Sequence, residues 1–546
     1  MIGAARYTWT LTRAGTMRLL AWPLTIAALL AMTSASIKEV YADPASRDHY
    51  AAALEMTDVM TAIGGVSGGL EQLGGIIANE MTIMVMPALA VAGILLAIAA
   101  TRAEEDAGRT ELITSRPVGR LAPLVGGIGS VAASLMLMAL LIAGTLVAFE
   151  VPLIGAEEGT PGPSAGGALV YAVLLLAYTS FFAGVGFVAA ELSQDARSAR
   201  GLGFTVLGVG YLLRMGINGA GHGVVAGEDI GLSWLTPMGW YDAVAPFGAM
   251  RWTPLIVLTG SAVLLTGLAA ALHLSRDLNT GLIAARPGRA AAPPRLGTAW
   301  GLTWRLSRPS VTGWLVGSVA IALIMGGQLA QWIGVMRESA ADLAMLGLEA
   351  DASAVTHMTL LLCALLAAAA GIAQVGRWVS EESSERLALL LAGPVPRLRL
   401  WSASVGTGVA TAAGITVASG LAYAGTGLLS VSGGPEAEHF SVADALMTTA
   451  VYCLPTTLIV AVAVAWIGWR GRSPWPAWVV FGISATFAFL GPMLDLPEWA
   501  LELGLFDAVG NVPAETISWL GVGVESVLMV VLIGVGTWWV QRRDLA

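Results

Sequence analysis

Residues 104–120 read EEDAGRTELITSRPVGR, and residues 381–397 read EESSERLALLLAGPVPR. The stretches align without a gap and agree at seven positions: the leading pairs Glu104-Glu105 and Glu381-Glu382, an arginine (Arg109, Arg386), a leucine (Leu112, Leu389), and Pro-Val-x-Arg, which is Pro117 to Arg120 in one and Pro394 to Arg397 in the other. Each stretch sits between two apolar runs, near 79–100 and 121–149 for the first and 357–376 and 402–429 for the second. A run of about 20 apolar residues crosses a bilayer core as a helix.

Matches extend outward in the same order. Trp9, Leu11 and Arg13 precede the first apolar run as Trp304, Leu306 and Arg308 precede the seventh. Trp234 with Asp242-Ala-Val answers Trp499 with Asp507-Ala-Val, and Arg276-Asp277-Leu278 answers Arg543-Asp544-Leu545. Matches in one order argue for duplication, so the chain is expected to hold two halves of six spans, related by a pseudo-two-fold axis along the membrane normal. The expected division is 1–282, a Pro- and Arg-rich linker at 283–299, and 300–546.

Composition excludes an ordinary soluble domain: 56% of the 546 residues are hydrophobic and only 12% charged, against about 25% charged in soluble chains. The runs are unbroken stretches of Ala, Leu, Val and Gly rather than the polar alternation of a membrane barrel. The expected fold is an all-α polytopic membrane protein, with about twelve spans near 18–36, 79–100, 121–149, 167–192, 201–220, 254–275, 311–333, 357–376, 402–429, 443–468, 475–494 and 517–540. With both termini in the cytoplasm, about 23 of the 28 Lys and Arg fall in inner segments, as basic-residue bias requires. The first apolar run follows Arg6, Arg13 and Arg18 with no clear small-residue cleavage site, so it reads as a retained span of a plasma-membrane protein. Cys363 and Cys453 both lie in apolar runs and read as small hydrophobes.

No phosphate-binding loop is present, because the only lysine is Lys38, between Ile37 and Glu39. The polar segments are also too short for an ATPase domain. ATP-driven work would therefore need a second polypeptide. The repeated loop is the strongest positive feature. Glu105 and Arg109, like Glu382 and Arg386, sit four apart, which on one helix puts them on the same face. Pro117 and Pro394 then end that helix, and Arg120 and Arg397 anchor the next span. Two readings follow: a docking element for a cytoplasmic motor, which accounts for recurrence of the whole pattern, or a topology anchor with a weak surface ion pair.

The run from Glu381 to Val395 resembles the loop between the second and third spans of ABC type-2 exporter permeases, and the two-half arrangement resembles the tetronasin-type antibiotic and multidrug exporters. The resemblance covers nearly the whole chain. The first copy departs from it at Thr114, Ser115 and Arg116, where the second has Leu391, Ala392 and Gly393. It implies a permease subunit with no cofactor of its own, bound to a dimer of ATP-binding subunits that hold ATP and Mg, and extruding hydrophobic drugs or natural products. The loop would be the coupling helix, through Glu104, Glu105, Arg109, Pro117, Arg120, Glu381, Glu382, Arg386, Pro394 and Arg397. An amphipathic helix would precede the first span of each half, with the segment Arg6 to Arg13 fitting that place, or serving only as an interface anchor. Short outer re-entrant helices would carry Trp240 and Asp242, and Phe506 and Asp507; an aromatic interface belt is the plainer reading. The second and fifth spans would line the pathway, with Met84, Phe204, Tyr211, Met358, Phe481 and Phe487, alongside the alternative of ordinary packing.

Two other classes compete. A proton-coupled secondary transporter fits a six-plus-six repeat but calls for membrane-buried carboxylates, and the spans show no chain of them, Glu80 standing near an outer end. A membrane enzyme calls for convergent polar groups, and the five histidines share no spacing.

Overall fold

The computed structural model describes residues 3–55, 68–115, 117–157, 166–218, 231–283, 291–338, 352–490, 504–510, 512 and 516–544. Arg116, the linker core at 284–290 and Trp499 lie outside this set, as do the side chains of Met84 and Phe489. Two compact units divide the chain, Met1–Pro287 and Gly288–Ala546.

The first unit runs α1 (Ala4–Ala14), α2 (Thr16–Val40), α3 (Pro44–Glu55), α4 (Leu73–Ala100), α5 (Arg102–Asp106), α6 (Arg109–Thr114), α7 (Ala122–Ala148), α8 (Ala168–Leu192), α9 (Ala196–Ile217), α10 (Pro237–Val244) and α11 (Trp252–Ser275). The second runs α12 (Ala299–Gly327), α13 (Leu329–Glu338), α14 (Ala352–Ser383), α15 (Arg386–Leu391), α16 (Arg397–Val431), α17 (Val442–Arg470), α18 (Trp475–Leu490), α19 (Leu505–Ala508) and α20 (Trp519–Arg542). Among the described residues ten helices are long and apolar enough to cross a membrane. The protein is therefore an all-α, multi-pass membrane protein. The expected fifth span of each half departs from the rest. α9 has the length but mixes glycines with Arg197, Arg200 and Arg214, and α18 is described for only 16 residues.

Three helix pairings recur in both units. First span packs on third (α2 on α7, α12 on α16), second on fourth (α4 on α8, α14 on α17), and fourth on sixth (α8 on α11, α17 on α20). With lipid outside, such packing rests on close approach of backbones rather than on hydrophobic burial. Where α17 meets α20, a Cβ on Gly468 would stand 2.2 Å from the Gly536 carbonyl oxygen, so only glycine fits.

The entrance to each unit differs. In the first, α1 is a separate amphipathic helix that buries Tyr7 and Leu11, exposes Trp9 and packs on α7, with a break at Gly15 before α2. In the second, the segment with Trp304 and Arg308 is continuous with the first span, α12, and carries Pro309 within it.

Candidate functional site

Each unit gathers its arginine-bearing loop at the end where the second span stops and the third begins. In the first unit a turn after α5, with Gly108 at φ +70°, separates Glu104 and Glu105 from Arg109. At the equivalent position of the second unit Glu385 adopts φ +59°, a left-handed conformation costing a non-glycine residue about 1 kcal/mol. This turn corrects the expectation that Glu105 and Arg109, or Glu382 and Arg386, share a helix face. Arg109 instead holds Glu104 through two hydrogen bonds of 2.6 and 2.9 Å, and Arg386 holds Glu381 at 2.8 and 3.3 Å. Both arginines are more than half exposed, so solvent screens each pair and it adds little to stability.

The second glutamate of each pair turns inward to the arginine that ends the sixth span. Arg276 donates to both oxygens of Glu105 at 2.8 Å, and Arg543 to both oxygens of Glu382 at 2.6 and 2.8 Å. A third arginine closes each circuit. Arg120 donates to the Arg276 carbonyl at 2.9 Å; Arg397 donates to the Val540 and Arg543 carbonyls at 2.8 and 2.6 Å. Two separate sequence repeats, Glu-Glu…Pro-Val-x-Arg and Arg-Asp-Leu, thus form one latch at the same end of each unit. Pro117 and Pro394 precede the third spans in both.

The first latch is heavily reinforced. Arg276 also donates to Glu191, which lies 3.0 Å from His273 Nδ1; Arg102 pairs with Glu105 at 3.1 Å; and the Asn279 amide donates to Glu105 at 2.5 Å. Burial alone would lower the Arg276 pKa, but the hydrogen bonds it donates to Glu105 and Glu191 outweigh it and hold the guanidinium well above the usual arginine value. In the second unit Val379 and Val540 occupy the places of Arg102 and His273, and among the described residues the inward-facing pair is Glu382 with Arg543 alone.

What the latch presents was missed in the sequence. On α6 and α15 the residue after the arginine is buried (Thr110, Leu387), whereas the conserved-in-register leucine two positions on points out: Leu112 is 73% exposed and Leu389 is 77% exposed. The only signal was that a leucine is one of the seven agreements between the loops.

Residues 296–540 match the family model described as multidrug efflux system permease Rv1217c, C-terminal domain. The chain is also 33% identical over 541 residues to the multidrug efflux system permease protein Rv1217c of Mycobacterium tuberculosis (strain ATCC 25618 / H37Rv), covering 96% of this chain and 92% of that protein. The chain belongs to the multidrug efflux permease family.

The other candidate residues of this efflux permease are not brought together in either unit. Phe204 on α9 and Met358 on α14 are exposed, and Tyr211, Phe481 and Phe487 are half-buried; Met84 lies on α4, its side chain outside the described set. None of them lines the apolar groove of about 650 Å³ in the second unit, which is bounded by Trp300, Trp304, Val311, Leu315 and Ile415.

At the ends far from the latches the two short helices differ. Asp242 on α10 is held by Arg214 of α9 at 2.7 and 3.1 Å, both nearly fully buried. Trp240 donates to the Trp234 carbonyl at 2.8 Å. On α19, Phe506 is buried edge-on against Tyr452 at 5.4 Å between centroids, and Asp507 beside it is half-buried. Tyr452 Oη is 2.6 Å from His357 Nδ1. Arg214, which belongs to none of the repeated motifs, is the buried counter-ion of Asp242.

Proposed function

We propose that this permease is the membrane subunit of an ATP-driven ABC type-2 exporter and that its two latches dock ATP-hydrolysing subunits. The observation carrying this reading is the pair of exposed leucines, Leu112 and Leu389, each on a short helix fastened by a glutamate–arginine circuit to the sixth span. An exposed large apolar side chain on a rigidly held element is what a partner's pocket takes as an anchor. The circuit ties that anchor to the sixth span, so force applied at the loop reaches a membrane helix. The outer pairs Glu104–Arg109 and Glu381–Arg386 form a charged rim around each anchor.

In this reading ATP and Mg are held by the partner, most simply two copies of one subunit, and the arginine-bearing ends with both termini face the cytoplasm of a bacterial cell. The exported compounds are hydrophobic drugs or natural products, in keeping with the multidrug efflux name of the relative.

One observation favours the proton-coupled alternative: Glu525 on α20 is a membrane-buried carboxylate, 2% exposed. The two readings separate in everted vesicles containing the permease and its ATP-binding partner. ATP should drive dye uptake that persists when a protonophore collapses the proton gradient. Uptake that needs the gradient and ignores ATP would overturn the ATP-driven reading.

A further inference from the structure

Glu525 presents a problem that the packing of the fold does not explain. It lies in the outer third of the apolar helix Trp519–Arg542, and among the described residues neither carboxylate oxygen has a hydrogen-bond partner. An ionised carboxylate is not stable in such a place, so the side chain either carries a proton or meets a cation. Nothing in the architecture demands an acid there. In the register set by the two Arg-Asp-Leu ends, the equivalent residue of the first unit is Leu258, also on the sixth span and fully buried. Leucine fills the position in one half, and a carboxylate replaces it in the other.

The surroundings indicate what the carboxylate takes. α17 and α20 run in the same direction, with Thr457 Oγ1 3.3 Å from Met529 Sδ and Gly468 against Gly536 nearer the latch. Glu525, one turn before Met529, is therefore level with Cys453 on α17 and adjacent to the layer of Tyr452. One turn further out, Gly521 rests against Ala508 of α19, whose neighbour Phe506 packs on Tyr452. The helices packed on α20 are charged only at their ends: Arg397 and Arg399 on α16, Asp444 and Arg470 on α17. The titratable groups nearer its level are Tyr423, Tyr452, Cys453, His357 bonded to Tyr452, and Asp507 on α19. Two carboxylates, Glu525 and Asp507, beside the rings of Tyr452 and Phe506, with a single histidine already bonded to Tyr452, make a site for a lipophilic cation.

α20 buries little of its own apolar surface in its outer half. Its buried residues are Gly521, Glu525, Gly536 and Val540, with no large apolar side chain buried in the outer half, while Val527, Val530 and Val531 are exposed. The Gly468–Gly536 crossing lies in the half nearer the latch, and further out α17 meets α20 through Thr457 and Met529.

We propose that Glu525 is a binding site for lipophilic cations, such as quaternary or protonated amines with apolar arms: it keeps a proton while α17 and α20 are closed and exchanges it for the cation when they part. The proton leaves to water and the cation takes its place on the carboxylate, so one proton is released for each cation bound.

The test titrates the full chain, in discs of neutral lipid and light buffer, with tetraphenylphosphonium, which has no proton to give. Bound cation and released proton are followed together. The wild type should release about one proton per cation, and binding should weaken about tenfold for each unit of falling pH while Glu525 holds its proton. Glu525→Leu should bind at least tenfold more weakly and release none, with a melting temperature at or above that of the wild type. Equal binding by Glu525→Leu, binding by the wild type without proton release, or no binding by the wild type would each overturn the proposal. If Glu525→Leu does not fold, Glu525→Gln in the same titration decides, and a Glu525→Gln chain that also fails to fold makes the carboxylate structural and overturns the proposal. The ATP-binding partner is absent throughout, so the result is independent of the docking reading.

Discussion

Replacing Arg276 with leucine is expected to destabilise the first unit by about 3–5 kcal/mol, the usual effect of removing one member of a buried ion pair. Arg276 is 7% exposed and serves two carboxylates, Glu105 and Glu191. Its loss leaves Glu105 with Arg102 and the Asn279 amide, and leaves Glu191 with His273. The second unit supplies the contrast. Arg543→Leu strands only Glu382, so the double variant Glu382→Leu with Arg543→Leu should regain most of the loss, because a buried pair exchanged for well-packed hydrophobes is often neutral. The double variant Glu105→Leu with Arg276→Leu should not, since Glu191 stays without its arginine. Thermal denaturation in detergent, followed by loss of monodisperse protein, measures all four variants. Equal recovery in both units would contradict the five-membered network of the first latch.

Leu112→Asp combined with Leu389→Asp should abolish drug efflux from cells without lowering the amount of folded permease in the membrane. Both side chains are about three-quarters exposed, and substitutions at such positions usually change stability by no more than about 0.5 kcal/mol. Truncating a central interface anchor, by contrast, costs about 2 kcal/mol or more, near thirtyfold in affinity, and a buried aspartate in a partner's pocket costs further. Efflux of a fluorescent drug, normalised to permease content, is the measurement. Loss of efflux accompanied by loss of protein would assign the leucines to folding instead. Because the second latch is fastened by one ion pair and the first by several, the single variant Leu389→Asp is a useful comparison with Leu112→Asp.

Much of this architecture was legible from residue patterns alone. The apolar runs placed ten spanning helices, although the expected span at 311–333 begins as early as Ala299, and the repeated loop anticipated units that share helix pairings. The latch itself was not legible as a contact. Its two motifs were both visible, yet Glu105 and Arg276 are 171 residues apart, and Glu382 and Arg543 are 161 apart. Spacing along a helix suggested the wrong partners because Gly108 and Glu385 break it with left-handed turns; the glycine hinted at this and the glutamate did not. Leu389 stands in the run Leu387 to Leu391, where every position but one is leucine, so sequence alone could not say which leucine faces out. Glu525 belongs to no motif, and its isolation appears only once the neighbours of α20 are known. The pathway residues were chosen by chemistry rather than pattern, and aromatic or methionine side chains are common throughout such a chain.

Whether the two latches dock two motors is tested most directly by native mass spectrometry of the permease purified with its ATP-binding partner. The wild type should carry two ATP-binding subunits, Leu389→Asp and Leu112→Asp one each, and the double variant none. A wild-type chain that retains no ATP-binding subunit, or a double variant that still retains two, would contradict the account.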